Sequence, residues 1–394
     1  MSDDPLQTVM AQATAGWYHA LCQGLKLDTG RFQLAQGNGV PFGTDSNYLW
    51  QAMDTVPPYS ATNIWGSSRN VFSDGYGLVL ASLQDPPDSE FQQDLGDNYN
   101  VWESYIGGYT WQPNDTYESV FRTWAQHNGI APNQIDQLVE ELDEDTPITA
   151  ARAMWDQVGT SGAKAYMPDY AFLADNMRTA PAVNVTYNSS QADRTFSDTW
   201  ANGNADLWVS LFGGGSSSSY QATSLATFSG TVAISMTLSH ALVFAVQPLY
   251  EKSNDPYLSK FAPWYDNAVI SNAYKNQANQ DEIWDTRGQT DWNDAFGPTG
   301  FLRYVTSELV VVDGVNMTMN VTADFTETDT TNIRSNYAAG LFPFFFSEGQ
   351  AGFSYTLDQA SSAGFSVNVT CEEGNYLILG ANVDDAAAAF GTGS

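Results

Sequence analysis

Residues 315–322, Val-Asn-Met-Thr-Met-Asn-Val-Thr, alternate apolar and polar side chains without interruption. Residues 231–239, Thr-Val-Ala-Ile-Ser-Met-Thr-Leu-Ser, follow the same period and lead into the continuously apolar run at 241–246. Because successive side chains of a β-strand point to opposite faces, both stretches are predicted to be strands with one buried and one exposed side. The apolar run predicts a strand segment that is buried on both faces.

Two turn signals lie next to these strands. Asp313-Gly314 separates the apolar residues 309–312 from the strand at 315, and Asp-Gly is typical of a type I′ hairpin turn. A second hairpin is predicted from the alternating residues 365–370 and the apolar residues 376–379, which Glu372-Glu-Gly-Asn375 separates.

Before residue 180 the apolar spacing is helical, in residues 5–25, 89–106, 117–127 and 133–142, and Thr146-Pro147 is predicted to begin a further helix. Residues 37–82 show no clear period and are predicted to be loop with short elements. Residues 250–285 have helical spacing within the β-rich part. The predicted fold is therefore α+β, with a mainly helical domain at 1–180 and an antiparallel β-sandwich domain at 181–394 that carries a helical insertion at about 250–285.

The chain has 14 Lys and Arg against 45 Asp and Glu, a net charge of −31. Its total charged content of 15% is below the roughly 25% of an average soluble protein, so the acidity reflects missing bases. Nucleic acids and anionic membrane surfaces bind clustered Lys and Arg, and the composition excludes both as partners. Short uncharged polar side chains lose little rotamer entropy on contact, which favours a homo-oligomer. The alternative is that the composition only reflects a habit of the lineage.

The sequence predicts no cofactor and no metal site. Cys22 and Cys371 are the only cysteines, too few for a disulfide framework or a cysteine zinc site, although the two could pair with each other. The acidic residues Asp324, Glu327 and Asp329 lack the Asp-x-Asp-x-Asp-Gly spacing of a calcium loop.

The best enzymatic candidate is the segment 281–294, which interleaves carboxylates with tryptophans. Its candidate catalytic residues are Asp281, Asp285, Asp291 and Asp294, and its candidate ligand-binding residues are Trp284 and Trp292. Sugar rings stack on indole faces, and a carboxylate pair supplies the acid and the base or nucleophile of glycoside hydrolysis. The alternative is a structural loop in which Trp anchors and Asp caps turns, and the abundance of both residues along the chain favours it.

The segment 337–346 is a candidate interface because it gathers phenylalanines around Pro343, which cannot sit in a central strand. Its candidate contact residues are Leu341, Phe342, Phe344, Phe345 and Phe346. The alternative is a core segment at a sheet edge, which is the more common role for such residues. The Ser-rich run 213–219 has the composition of the amphipathic hairpins of pore-forming toxins. Ser-rich strands in a soluble sandwich are the alternative, since they have the same composition.

Six Asn-x-Ser/Thr sequons occur, a number close to the chance expectation for this composition, at Asn114, Asn184, Asn188, Asn316, Asn320 and Asn368. The N-terminal residues Met-Ser-Asp-Asp-Pro contain no basic or apolar region of a signal peptide. We therefore expect synthesis in the cytoplasm, with release by a non-classical route as the alternative.

No motif in the chain is specific enough to identify a catalytic site. The leading hypothesis is a non-catalytic protein that binds a partner or self-assembles, with the β-structure as its scaffold. A carbohydrate-active enzyme or sugar-binding module that uses the Trp/Asp segment is the alternative, and a pore-forming toxin is the third hypothesis.

Overall fold

The structure is a computed structural model that describes residues 18–28, 30–34, 46–55, 71–83, 90–107, 109, 115–159, 162–190, 230–277, 284, 291–336 and 353–391. Spatial contacts divide these residues into two compact units, and each unit collects separate stretches of the chain. The first unit takes its described residues from 1–69, 170–246 and 306–383. The second takes them from 70–169, 247–305 and 384–394.

In the described residues, the first unit is built on an antiparallel sheet of seven strands, which confirms the predicted α+β class. Its strands are β1 (Phe32–Leu34), β3 (Val183–Asn188), β4 (Thr231–Ala245), β6 (Tyr304–Thr322), β7 (Phe353–Ser361), β8 (Gly364–Cys371) and β9 (Leu377–Asp385). The strand order is β1-β9-β6-β4-β3, and β8 pairs with β6 on one side and with β7 on the other.

The predicted alternation of the central strands is confirmed. The apolar positions of β3, β4, β6 and β8 share one core, and their list is Val185, Tyr187, Val232, Ile234, Met236, Leu238, Val315, Met317, Met319, Val321, Phe365, Val367 and Val369. Burying one such side chain contributes roughly 1.5–3 kcal/mol relative to leaving it in water. The polar residues between them therefore stay on the opposite side of the sheet.

Four helices of the first unit are described. They are α1 (residues 18–25), α2 (Asn47–Asp54), α8 (Tyr170–Met177) and α11 (Glu327–Asn336). Tyr18 and Leu21 of α1 and Ile333 of α11 join the core beneath the sheet. The hydroxyl of Tyr18 donates a hydrogen bond to the carbonyl of Phe32 at 2.9 Å, which ties α1 to β1.

Both predicted hairpins are wrong, and the pairing of the long strand β6 is the reason in each case. β6 continues through Asp313-Gly314 because the long strand β4 pairs with it on both sides of this point, up to Leu238 opposite Val315 and again from His240 opposite Asp313. Gly314 has φ +63°, so the turn signal produces a local distortion within the strand.

The second predicted hairpin fails because β8 and β9 do not pair with each other. Both are neighbours of β6, and β8 covers its end from Asn316 to Thr322. The turn between β8 and β9 is fixed to β6, since the backbone N–H of Gly374 donates to Asp313 Oδ1 at 2.7 Å.

The second unit is mainly helical. Its described helices are α3 (Phe72–Ser82), α4 (Glu90–Leu95), α5 (Tyr99–Gly107), α6 (Tyr117–His127), α7 (Pro132–Val158), α9 (Asn267–Lys275), α10 (Trp292–Phe296) and α12 (Ala386–Phe390). It also contains the short strand pair β2 (Tyr166–Met167) and β5 (Gln247–Pro248). The predicted separate helix at Thr146-Pro147 is wrong, because α7 is continuous through Pro147. The helix tolerates the loss of the one backbone hydrogen bond that proline cannot donate.

Aromatic rings fill the interior of the second unit. Trp264 is fully buried, and its ring meets those of Phe72, Tyr76 and Tyr166 edge-on at centroid distances of 6.3, 5.9 and 5.6 Å. Its indole N–H donates to the carbonyl of Ala165 at 2.7 Å. Edge-to-face pairs of this kind add roughly 0.5–1.5 kcal/mol each beyond the buried area.

Candidate interaction face

The outward side of the sheet in the first unit carries three rows of short side chains, one residue from each of β3, β4, β6, β8 and β7. The first row is Asn184, Thr237, Asn316, Thr370 and Ser354. The second row is Thr186, Ser235, Thr318, Asn368 and Thr356. The third row is Asn188, Ala233, Asn320, Ser366 and Asp358. We call these fifteen residues the Asn/Thr face.

The Asn/Thr face is accessible and almost without charge. Every one of its residues is exposed or half-buried. All are Asn, Ser or Thr except Ala233 and Asp358, and Asp358 lies at a corner, in the third row of the outermost strand β7. Since the whole chain carries a net charge of −31, the excess of acidic residues lies outside this surface.

Hydrogen bonds between neighbouring strands order part of the face. The Thr237 hydroxyl donates to Asn184 Oδ1 at 3.0 Å. The Thr318 hydroxyl donates to Asn368 Oδ1 at 2.7 Å, and the Asn368 amide donates to Asp358 Oδ2 at 2.7 Å. Side chains held in this way lose less entropy when a partner binds, because their rotamers are already restricted.

The sequons gain a structural explanation. Five of the six Asn residues lie on the Asn/Thr face, namely Asn184, Asn188, Asn316, Asn320 and Asn368, while Asn114 lies outside the described residues. In a strand, residues two apart share a face, so each Asn-x-Thr in β3, β6 and β8 places both polar residues outward. The sequons follow from the way the face is built.

The Trp/Asp segment is placed only in part, since Asp281 and Asp285 lie outside the described residues. Trp284 and Trp292 are 7% and 6% exposed, and the Trp292 indole donates to the carbonyl of Trp284 at 2.7 Å. Asp291 caps α10 by accepting from the backbone N–H of Asp294 at 2.7 Å, and Asp294 is exposed. Covered indoles and a capping carboxylate favour the structural interpretation of this segment.

The aromatic candidates Leu341, Phe342, Phe344, Phe345 and Phe346 also lie outside the described residues. Their assignment as contact residues therefore stays a prediction.

The structure brings together one pair that the sequence analysis does not single out. His240 of β4 and Asp313 of β6 are direct cross-strand partners, with Nδ1 3.7 Å from Oδ2. Asp313 is 5% exposed and receives the Gly374 N–H described above. Only the register of two strands about 70 residues apart reveals this pair, and no local spacing signals it.

Asp329, one of the acidic residues considered for calcium, has a structural partner. Asp329 accepts from the backbone N–H and the hydroxyl of Thr326 at 2.9 and 2.7 Å, which caps the start of α11. Among the described residues, no group of three or more His, Cys, Asp or Glu is arranged to hold a metal ion.

Cys22 and Cys371 are both free thiols in buried positions, so the predicted option of a disulfide between them is not realised. Burial raises the pKa of each thiol to about 12. At Cys371 the negative charge of Asp313 adds to this effect, and at Cys22 a hydrogen bond with Tyr18 partly opposes it.

We therefore expect both thiols to be inert in the native protein. A pKa about three pH units above the ordinary value lowers the thiolate fraction at pH 8 about 1000-fold, and the thiolate is the reactive form. Iodoacetamide labelling followed by mass measurement should show no modification under native conditions and two modified residues after denaturation. Rapid labelling of the native protein near neutral pH would contradict the burial of these side chains.

Within the part of the chain that the structure describes, no helix combines the length and apolarity needed to cross a membrane. Comparison with protein-family models, with curated proteins and with solved structures gives no match.

Proposed function

We propose that this protein is a non-catalytic interaction protein and that the Asn/Thr face is its contact surface. The observation that carries the proposal is the regular set of short, uncharged side chains across five paired strands in a chain with a net charge of −31. A surface of this kind has a low entropic cost of ordering and no salt-bridge pattern to satisfy.

The chemistry of the face limits what it binds. Asn amides and Ser or Thr hydroxyls each offer donors and acceptors, whereas ammonium groups only donate and carboxylates only accept. A matching partner is therefore itself uncharged and rich in paired donors and acceptors. Another protein surface of the same composition meets this requirement, and so does a glycan.

The test uses two Lys substitutions on the face. Ser235 and Asn320 are exposed, and their side chains have no hydrogen-bond partner in the described part of the chain, so Ser235→Lys combined with Asn320→Lys should fold normally. Ser362→Lys, in the exposed turn between β7 and β8, is a control that lies off the face. Circular dichroism and thermal melting check folding in each variant.

Two probes are applied to wild type and both variants, an array of immobilised glycans and the protein itself in light scattering. We expect wild type to bind one of these probes. The double face variant should weaken that binding at least about tenfold, the effect of roughly 1.4 kcal/mol, because it places unpaired ammonium groups in the contact. Ser362→Lys should leave it within about twofold. Absence of binding to both probes, or equal binding by all three proteins, would contradict the proposal.

A further inference from the structure

We infer that the partner of the Asn/Thr face is a second copy of this chain, held face to face about a two-fold axis over the centre of the face. This inference rests on the proposed function and names its partner. The central position is Thr318, in the middle row of the middle strand.

Charge is the first reason. Two molecules that each carry −31 repel each other wherever their acidic surfaces meet. The Debye length is about 8 Å at physiological ionic strength, and the centre of the face lies about that distance or more from its rim. The Asn/Thr face is thus a place where two copies approach with little repulsion, and the single carboxylate of Asp358 stays at a corner.

Hydrogen bonding is the second reason. A two-fold contact brings a surface against itself, so every donor must find its acceptor on an identical surface. Asn, Ser and Thr meet this condition because each side chain carries both functions. Asn316, Asn320 and Ser235 have no side-chain hydrogen bond in the described part of the chain, which leaves their polar atoms available for the mate.

The area of the Asn/Thr face is the third reason, and it determines the expected affinity of the dimer. Five strands spaced by about 4.8 Å and three rows spaced by about 6.8 Å cover roughly 24 by 20 Å, or about 500 Å² per copy. The total of about 1,000 Å² lies at the lower limit of specific interfaces. We therefore expect a reversible dimer that forms as the concentration rises through the micromolar range.

Light scattering tests this inference on the full chain from about 1 µM to about 500 µM. The expected result is a mass that rises from monomer to dimer for wild type and for Ser362→Lys. The variant with Ser235→Lys and Asn320→Lys should remain monomeric over the same range, although its net charge is smaller and its general repulsion is weaker. A dimer that persists in this variant would place the contact elsewhere and overturn the inference.

The dependence of dimerisation on salt concentration provides an independent test. Raising NaCl from about 0.05 to about 0.5 M should strengthen the dimer, because salt screens the repulsion between the acidic surfaces and the contact contains no ion pairs. A dimer that dissociates as salt rises is held by opposite charges, which would also overturn the inference.

Cross-linking locates the axis. Thr318→Cys lies next to its own mate in the expected dimer, with the two sheets about 10 Å apart, a distance that a short bis-maleimide spans. Ser362→Cys is the matched control, and the buried Cys22 and Cys371 give the wild-type background. We expect cross-linked dimer for Thr318→Cys well above both. Equal yields for the two cysteine variants would refute a face-to-face arrangement.

Failure of this inference differs from failure of the proposed function. A wild type that stays monomeric at all concentrations, yet binds a glycan and loses that binding in the Lys variant, overturns the second-copy inference and supports the proposed function. A monomer that binds no glycan removes both.

Discussion

Trp264→Ala is expected to lower the free energy of unfolding by about 4 kcal/mol, within the range of roughly 3–5 kcal/mol for removing a large buried aromatic side chain. The substitution removes a fully buried ring and leaves a cavity among Phe72, Tyr76 and Tyr166. It also removes one of the two donors to the carbonyl of Ala165, which keeps the backbone N–H of Leu249 at 3.0 Å. Urea denaturation followed by tryptophan fluorescence and circular dichroism measures the loss.

Two controls separate the contributions at this site. Trp264→Phe keeps most of the ring and loses the N–H donor, so we expect a cost of about 1–2 kcal/mol from the lost hydrogen bond and the smaller volume. Tyr250→Ala, at a residue that is 43% exposed in the same unit, should cost well under the Trp264→Ala value. If all three variants lose similar stability, Trp264 is not the centre of this core.

Gly314→Ala is the second large effect, and we expect a loss of about 3 kcal/mol. A residue with φ +63° is unfavourable for any side chain by roughly 1–2 kcal/mol. An added Cβ would also lie 2.6 Å from the Cβ of Ser239 on the neighbouring strand, which is closer than real contacts allow. Overpacking of this kind costs a further 1–3 kcal/mol or so.

The matched control is Gly374→Ala. Gly374 also has positive φ, at +91°, but nothing lies within 4 Å of the position of its added Cβ. It should therefore cost only about 1–2 kcal/mol, the backbone part of the effect. Combining Gly314→Ala with Ser239→Gly should restore part of the loss, since the two closest contacts are with the Ser239 side chain and the contact with Glu373 Cγ at 2.8 Å remains. Equal losses at Gly314 and Gly374, without any rescue, would contradict a steric cause.

The sequence predicts which residues of each strand lie on the polar side of the sheet. It does not predict how residues of different strands line up to form the Asn/Thr face. Alternation within 231–239 and 315–322 is a local property, and it assigns Ser235 and Thr318 to the polar side. Their position next to each other in one row depends on pairing between residues that are more than 80 positions apart in the sequence. The register between strands is set by packing of the apolar side against the core. Alternation within a single strand does not predict that register.

Asp313-Gly314 illustrates how tertiary contacts override a local signal. The dipeptide favours a hairpin turn, yet β4 is long enough to pair with both flanking segments, and the hydrogen bonds gained on each side keep β6 continuous. The continuous strand β6 is long enough to pair with both β8 and β9, which is why their predicted hairpin also fails. Pro147 within α7 is a parallel case, because the surrounding helix tolerates one missing hydrogen bond.

The concentration of sequons on the Asn/Thr face has a practical consequence for the choice of expression host. A eukaryotic secretory host is equipped to attach a branched oligosaccharide at Asn-x-Ser/Thr. Oligosaccharides attached at Asn184, Asn316 or Asn368 would lie directly over the sheet and cover the surface on which the proposed contact depends. Material from such a host would behave as a monomer whatever the bare polypeptide does, so a bacterial cytoplasm is the informative source of protein.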